Sequence, residues 1–170
     1  SQPALLALRL PTMAICARHS AFRSPSTNST GGASVILRSS GDHFMAGGDL
    51  KWFATEIAGR AAGDVEARMN DRLAQVHATT RNIRHMDKPV IAAVRGAAAG
   101  YGMSLMMACD FALAADSAYF TLAYCHIALS PDGGATWASP RLGGLKKATE
   151  IALLGERFAL AQFFDVLFPA

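Results

Sequence analysis

The chain has 170 residues, of which 51% are hydrophobic and 17% are charged, a composition that supports a folded domain and excludes an intrinsically disordered protein. Its formal net charge is +3 without any Lys/Arg-rich run, so the sequence offers no nucleic-acid-binding patch. Three cysteines without a C-x-x-C pair argue against a disulfide framework or a zinc site and favour a reducing compartment, the cytoplasm or, in a eukaryote, the mitochondrial matrix.

The first predicted element is a strand at residues 4–10, which Pro11 would end. No Asp or Glu precedes Asp42, and an acid-poor start that contains Arg and Ser is also typical of a transit peptide. We favour the strand. Residues 24–32, SPSTNSTGG, have the composition of a loop, and the apolar residues 35–37 are expected to form a buried strand.

A helical pattern then runs from Leu50 to about Arg84, with apolar residues three or four positions apart. Gly59 and Gly63 are expected to divide it into two helices, and Lys88-Pro89 ends it. The next segment, PVIAAV at residues 89–94, is fully apolar, which is typical of a strand buried in a parallel sheet.

The second half of the chain predicts shorter elements: a helix at residues 103–109, strands at 110–115 and 118–121, a helix from about residue 135, and a helix at 145–154 that ends at Gly155. The uncharged stretch at residues 96–109 is too short and too rich in glycine to span a membrane. Strand–turn–helix units near 35–57 and 89–109 predict an α/β fold, whose ligands bind where strands end and helices begin.

Two glycine-rich turns lie at such junctions. The first is Ala46-Gly47-Gly48-Asp49, in which Asp49 is well placed to cap the next helix, and the second, residues 95–102, contains three glycines. Backbone N–H groups at a helix start are unpaired, so two facing turns would direct two N–H groups at one oxygen, as in an oxyanion hole. The second turn lacks the G-x-G-x-x-G spacing of dinucleotide-binding loops, and the chain has no G-K-[ST] motif. From spacing alone, two tight turns between packed elements are an equally good interpretation.

Five short motifs resemble the crotonase family, the enoyl-CoA hydratases and isomerases. They are F-x-A-G-G-D-L at 44–50, D-K-P-V-I-A-A-V-x-G at 87–96, Cys-Asp at 109–110, P-D-G-G-A-T-W at 131–137 and P-R-L-G-G at 140–144. They occur in the family's order over residues 34–157. The resemblance implies a single crotonase-like domain over residues 1–170, built of repeated ββα units with a mostly parallel sheet flanked by helices. Compared with the family, residues 11–34 are short, and the helical part after residue 155 is short or missing.

The resemblance also implies a binding site for an acyl-CoA thioester. Its carbonyl oxygen would accept hydrogen bonds from the backbone N–H groups of Gly48 and Tyr101, and Ala46 and Gly47 would lie near the adenine and pantetheine. The implied substrate-binding set is completed by Asp49, Leu50 and Gly100. Because coenzyme A belongs to the substrate, we expect neither a cofactor nor a metal, and family members form trimers or hexamers. Tyr101 replaces a small residue of the family, so its side chain must find room.

The side chains that would move the proton differ from those of the hydratases. The two glutamates that handle water in hydratases align with Ser104 and Tyr124, and neither of these is a carboxylate. Asp132 falls where isomerase and dehalogenase branches carry a catalytic aspartate, although an Asp after proline is also a common turn residue. His77 is a second candidate, either in a dehalogenase-like arrangement or as an ordinary residue at a helix border. Tyr124 either lines the pocket, donates a hydrogen bond or packs in the core.

The favoured function is therefore an isomerase-type reaction in fatty acid metabolism, with Asp132 as the base. The alternatives are an enoyl-CoA hydratase (a lyase), an aspartate-dependent dehalogenase or hydrolase, and a catalytically weak acyl-CoA-binding subunit. The walls of the acyl pocket are expected to come from residues 59–64 and from C-terminal parts. Trp52 and Trp137 are expected to pack in the core or at its rim, and Asp110 to have a structural role.

Overall fold

The computed structural model describes residues 5–10, 13–18 and 34–167, with side chains from residue 34 to residue 163. The strands are β1 Leu5–Leu10, β2 Met13–Arg18, β3 Val35–Arg38, β4 Val90–Val94, β5 Ala97–Ala99, β6 Phe111–Ala115, β7 Tyr119–Thr121 and β8 Phe158–Ala159. The helices are α1 Leu50–Ile57, α2 Ala62–Arg84, α3 Tyr101–Ala108, α4 Ala135–Gly143, α5 Leu145–Leu154 and α6 Leu160–Leu167, with a 3₁₀ turn at Tyr124–Ile127.

The larger sheet has five strands in the order β1-β2-β6-β4-β3. Its centre is parallel, because β4 pairs in parallel with both β3 and β6. The hairpin β1–β2 adds two antiparallel strands beside β6. Val90, Ala92 and Val94 of β4 are almost completely buried, as the apolar segment predicts.

The smaller sheet has the order β5-β7-β8, with β5 parallel and β8 antiparallel to β7. Phe120 of β7 is fully buried, and its ring stacks on Phe163 of α6 with 4.1 Å between the ring centres. Phe158 of β8 stacks beside them. These three rings attach the C-terminal segment to the strand that supports the second glycine turn, so this segment is part of the core.

Most predicted elements are confirmed. β1 is a strand, the long helical pattern divides into α1 and α2, and Gly155 ends α5 with a φ of +61°. Residues 35–37 form a strand, as predicted, but the prediction that it is buried is wrong, because β3 lies at the sheet edge and Ile36 is 62% exposed. β2 was not predicted, and β5 lies within the segment predicted as a turn. The loop predicted at residues 24–32 lies outside the described residues.

The first glycine turn packs directly against the start of α3. The N–H of Met45 donates to the carbonyl of Ala97 at 3.0 Å, and the N–H of Ala99 donates to the carbonyl of Met45 at 2.9 Å. A Cβ atom at Gly102 would overlap this Met45 carbonyl oxygen, which is backbone and cannot rotate away. The absence of a side chain at Gly102 is therefore what allows the two turns to touch.

We predict that Gly102→Ala lowers the free energy of unfolding by about 1–3 kcal/mol, because the added methyl group must displace the Met45 backbone. The matched control is Gly63→Ala, at an open position of α2, which is expected to raise that free energy by about 0.4–1 kcal/mol. Urea denaturation measures both. A Gly102→Ala chain as stable as the unsubstituted chain would contradict the close packing described above.

Candidate active site

The two glycine turns lie side by side at the ends of paired chain segments. Met45 forms a parallel bridge with Ala98 of β5, so both segments run in the same direction into their turns. Gly47 and Gly100 then adopt φ values of +99° and +52°, which residues with a side chain rarely adopt. A Cβ atom on Gly100 would lie 3.5 Å from the Cα atom of Gly47. The turns that were predicted to face each other are therefore in contact.

The N–H groups of Gly48 and Tyr101 belong to these turns. Tyr101 is the first residue of α3, where an N–H has no partner within the helix. Neither N–H donates to an acceptor among the residues that the structure describes. Both groups are thus available to an external acceptor.

Asp49 caps α1, as predicted. Its Oδ1 atom accepts hydrogen bonds from the N–H groups of Lys51 at 2.9 Å and Trp52 at 3.1 Å. Ala46 is exposed and Leu50 is 56% exposed, so this side of the first turn faces solvent. Gly48 cannot carry a side chain without moving Phe53, since an added Cβ atom would lie 2.7 Å from the Phe53 ring.

Three polar side chains, those of Ser104, Tyr124 and Asp132, lie close together beside the second turn. The hydroxyl of Tyr124 donates a hydrogen bond to Oδ1 of Asp132 at 2.5 Å and lies 3.4 Å from the hydroxyl of Ser104. Ser104 is 1% exposed and Tyr124 is 7% exposed, whereas Asp132 is half-buried. The ring of Tyr124 also approaches Gly100. Ser104 and Tyr124, which the family resemblance predicts to replace the glutamates of hydratases, therefore form a single cluster with Asp132 beside the second turn.

Burial affects the ionisation of one member of this cluster, Tyr124. It raises the pKa of Tyr124 above its ordinary value of 10.0, and the hydrogen bond to the Asp132 carboxylate raises it further. Tyr124 is consequently a neutral hydrogen-bond donor at physiological pH. The other carboxylate oxygen of Asp132, Oδ2, has no hydrogen-bond partner among the described residues.

The side chain of Tyr101 packs against α2. Its hydroxyl donates to the carbonyl oxygen of Val76 at 3.1 Å and lies 3.4 Å from the hydroxyl of Thr80. The ring packs on Gly133, where an added Cβ atom would lie 2.6 Å from it. Tyr101 thus connects α2 to the turn that carries Asp132, while its backbone N–H stays at the glycine turn.

A cavity of about 360 Å³ lies between α2, α3 and α4. Ser104 and Gly133 border it, so it adjoins the hydroxyl cluster, but Asp132 and Tyr124 are not among its lining residues. His77 lines it and makes no hydrogen bond to Asp132. The cavity is lined by the last third of α2, because that part of the helix packs beside α3. Residues 59–64 are not among its lining residues, and their place in the walls of the acyl pocket stays a prediction.

Two arginines of the cavity were missed from the sequence. Arg81 and Arg84 line it together with His77 and Thr80, a spacing of three, four and seven positions that places all four on one helix face. This helical spacing could have indicated from the sequence that the four side chains share one face of α2. Trp137, predicted as packing in the core or at its rim, is 43% exposed and also lines the cavity. Asp110 is structural as predicted, since its Oδ2 atom accepts from the N–H of Val90 at 2.8 Å.

In the described part of the chain, no group of three or more His, Cys, Asp or Glu side chains is arranged to hold a metal ion. Nor is any described helix long and apolar enough to cross a membrane.

The sequence matches the family model described as enoyl-CoA hydratase/isomerase over residues 14–165. Among curated proteins it is 36% identical to the 1,2-epoxyphenylacetyl-CoA isomerase of Escherichia coli K12, with 75% of this chain and 47% of that protein aligned. It is 30% identical to a 4-chlorobenzoyl coenzyme A dehalogenase of an Arthrobacter species, with 85% and 50% aligned. The chain thus spans about half the length of the curated relatives it matches.

Solved structures give the same result. The enoyl-CoA hydratase from Polaromonas sp. JS666 superposes with a TM-score of 0.70 at 39% identity, covering 79% of this chain and 50% of that one. The enoyl-CoA hydratase from Bacillus anthracis superposes with a TM-score of 0.72 at 31% identity, covering 82% and 52%. The arrangement of strands and helices described above is therefore the fold of these proteins.

We predict that the free energy of unfolding falls as pH rises above about 10, because the unfolded chain ionises Tyr124 before the folded chain does. Below that pH the phenol is protonated in both states and its contribution is intact. In Tyr124→Phe the free energy of unfolding should therefore fall less steeply with pH, by up to about 1.4 kcal/mol per pH unit.

Urea denaturation at about pH 9 and about pH 11 gives the two slopes. The thiol of Cys109, whose pKa burial raises to about 12, is present in both chains and cancels in the comparison. Equal slopes for the unsubstituted chain and Tyr124→Phe would show that Tyr124 ionises in the folded protein as it does in water.

Proposed function

The chain belongs to the enoyl-CoA hydratase/isomerase family, and we propose that it binds an enoyl-CoA thioester and shifts its double bond, with Asp132 as the proton-transfer base. The observation that carries the proposal is the contact between Gly47 and Gly100, which brings two turns with available N–H groups together. Relatives named as isomerases, such as the 1,2-epoxyphenylacetyl-CoA isomerase of Escherichia coli, support the reaction class.

In the proposed reaction the thioester carbonyl oxygen accepts hydrogen bonds from the N–H groups of Gly48 and Tyr101. Asp132 takes a proton from the α-carbon, the electron pair of that C–H bond forms a double bond to the carbonyl carbon, and the C=O π pair moves to the oxygen as an enolate. The two N–H groups stabilise the new negative charge, and losing one such donor typically costs about 10²–10³ in rate. Asp132 then returns the proton at the γ-carbon, which completes the shift of the double bond.

Tyr124 is proposed to hold the base in place. Its hydroxyl occupies Oδ1 of Asp132, which leaves Oδ2 to receive the proton. A buried, neutral phenol is a poor base itself, so it competes little with Asp132 for the substrate proton. Ser104, the remaining member of the cluster, is likewise uncharged.

Water addition is disfavoured by the same cluster. Hydration by the paired-carboxylate route requires two carboxylates around one water, and the cluster has one, because Ser104 and Tyr124 occupy the aligned positions. An isomerase needs only one base that both takes and returns a proton. The single carboxylate therefore favours isomerisation over hydration.

A second candidate function is nucleophilic displacement by Asp132, in which its carboxylate would attack the halogen-bearing carbon of the acyl group. A C–O ester bond forms as the C–halogen bond breaks and halide leaves, and water then hydrolyses the ester. His77 favours it, because it lines the cavity that Gly133, next to Asp132, also borders. The Arthrobacter dehalogenase is a relative at 30% identity. Chloride release from 4-chlorobenzoyl-CoA would support this function over isomerisation.

We predict that Asp132→Asn lowers deuterium uptake at the α- and γ-carbons of an enoyl-CoA in heavy water by about 10²–10⁴, the usual contribution of a positioned base. Mass spectrometry of the recovered thioester measures the uptake. The matched control is Asp116→Asn, which removes an exposed carboxylate in the turn between β6 and β7 and should leave uptake unchanged.

Equal uptake by Asp132→Asn and the unsubstituted chain would refute Asp132 as the base. Tight acyl-CoA binding without any exchange in the unsubstituted chain would instead support a binding subunit that lacks catalysis.

A further inference from the structure

The cavity beside the hydroxyl cluster has a cationic wall, formed by Arg81 and Arg84 with Trp137. Ser104 and Gly133 border the same cavity. None of its lining residues, all within the described part of the chain, is acidic. The space that adjoins the hydroxyl cluster is therefore also lined by two arginines.

These arginines have no carboxylate partner among the described residues. The ion pairs there join Glu56 to Arg60 and Arg68, and Lys147 to Glu150. Asp110 acts on Arg84 only through its charge, and its Oδ2 atom already accepts from the N–H of Val90. Both arginines are exposed to water, and a guanidinium can bind a carboxylate or phosphate through two parallel N–H bonds, so the wall offers a site for an anion.

One of the two arginines, Arg84, stacks on Trp137 together with Arg141, which lies outside the cavity lining. The guanidinium carbons of Arg84 and Arg141 lie 4.1 Å and 4.2 Å from the ring centre of Trp137. Arg141 further donates to the carbonyl oxygen of Trp137 at 2.8 Å. Partial burial lowers the pKa of Arg84, and the nearby positive charge of Arg141 lowers it further. Two cations held near one indole repel each other, and an anion between them and the cavity would relieve that repulsion.

We propose that this wall binds a carboxylate at the far end of the acyl group, so that the preferred substrates are CoA monothioesters of dicarboxylic acids. The inference rests on the proposed function, because it takes the reacting end of the acyl group to lie near Asp132. A guanidinium donates two parallel N–H bonds to a carboxylate, a geometry that a methyl-terminated acyl chain cannot use. A hydrocarbon end would offer these exposed arginines no acceptor and so would gain nothing from them.

The test compares binding of adipyl-CoA and hexanoyl-CoA by isothermal titration calorimetry. Both have six-carbon acyl groups and the same CoA phosphates, and they differ in the terminal carboxylate. Both are saturated, so they bind without isomerising and the result does not depend on Asp132 as a base. We expect the unsubstituted chain to bind adipyl-CoA at least about tenfold more tightly, the size of one charge-assisted contact.

Arg81→Gln and Arg84→Gln should each reduce this preference to less than about threefold, and Arg84→Lys, which keeps the charge, should retain part of it. The matched control is Arg72→Gln, which removes the same charge from the same helix at an exposed position outside the cavity and should keep the full preference. Thermal unfolding of each variant establishes that it is folded.

Equal affinity of the unsubstituted chain for the two thioesters would overturn the inference. So would a preference that survives both Arg→Gln substitutions, or an equal loss of affinity for both thioesters, which would mean that the arginines bind the phosphates of CoA. Failure to bind either thioester would contradict the proposed function itself and the inference with it. Absence of deuterium exchange alongside a clear preference for adipyl-CoA would leave the inference standing and the isomerase proposal refuted.

Discussion

The site depends on one steric constraint, the close approach of two backbone segments that only glycine permits. Met45 lies where a side chain at Gly102 would have to be, and Gly47 lies against Gly100. Because β5 holds Met45 by two hydrogen bonds, this contact fixes the direction in which both turns leave their strands. The positions of the Gly48 and Tyr101 N–H groups then follow from the backbone, without any side chain to orient them. Such preorganised dipoles are effective in catalysis since they need no rearrangement when charge develops.

Around this backbone site the polar side chains divide into two groups of opposite character. The hydroxyl of Tyr124 donates to one carboxylate, Asp132, and Ser104 lies beside Tyr124, so the cluster supplies no second negative charge. The cavity that Ser104 borders is also lined by Arg81 and Arg84. In the proposed function, Asp132 marks the reacting end of the acyl group and the two arginines mark its recognition end.

The sequence predicts best where a local rule decides the structure. Periodicity identifies the divided helices α1 and α2, and a capping residue is recognisable at Asp49. Prediction from the sequence fails where the burial or pairing of an element depends on its neighbours in space. The edge position of β3 exposes Ile36, and the short strand β5 exists only because Met45 and β7 pair with it. The hydrogen bond from Tyr124 to Asp132 joins residues eight positions apart through a 3₁₀ turn, which no periodic pattern encodes.

The central claim is that N–H groups from two separate turns bind the same substrate oxygen. A crystal structure of the chain with a saturated acyl-CoA bound measures this directly. The account predicts that the thioester carbonyl oxygen lies about 2.7–3.1 Å from the backbone nitrogens of both Gly48 and Tyr101. A bound thioester whose carbonyl oxygen contacts neither nitrogen, or only one of them while the other points elsewhere, would contradict it.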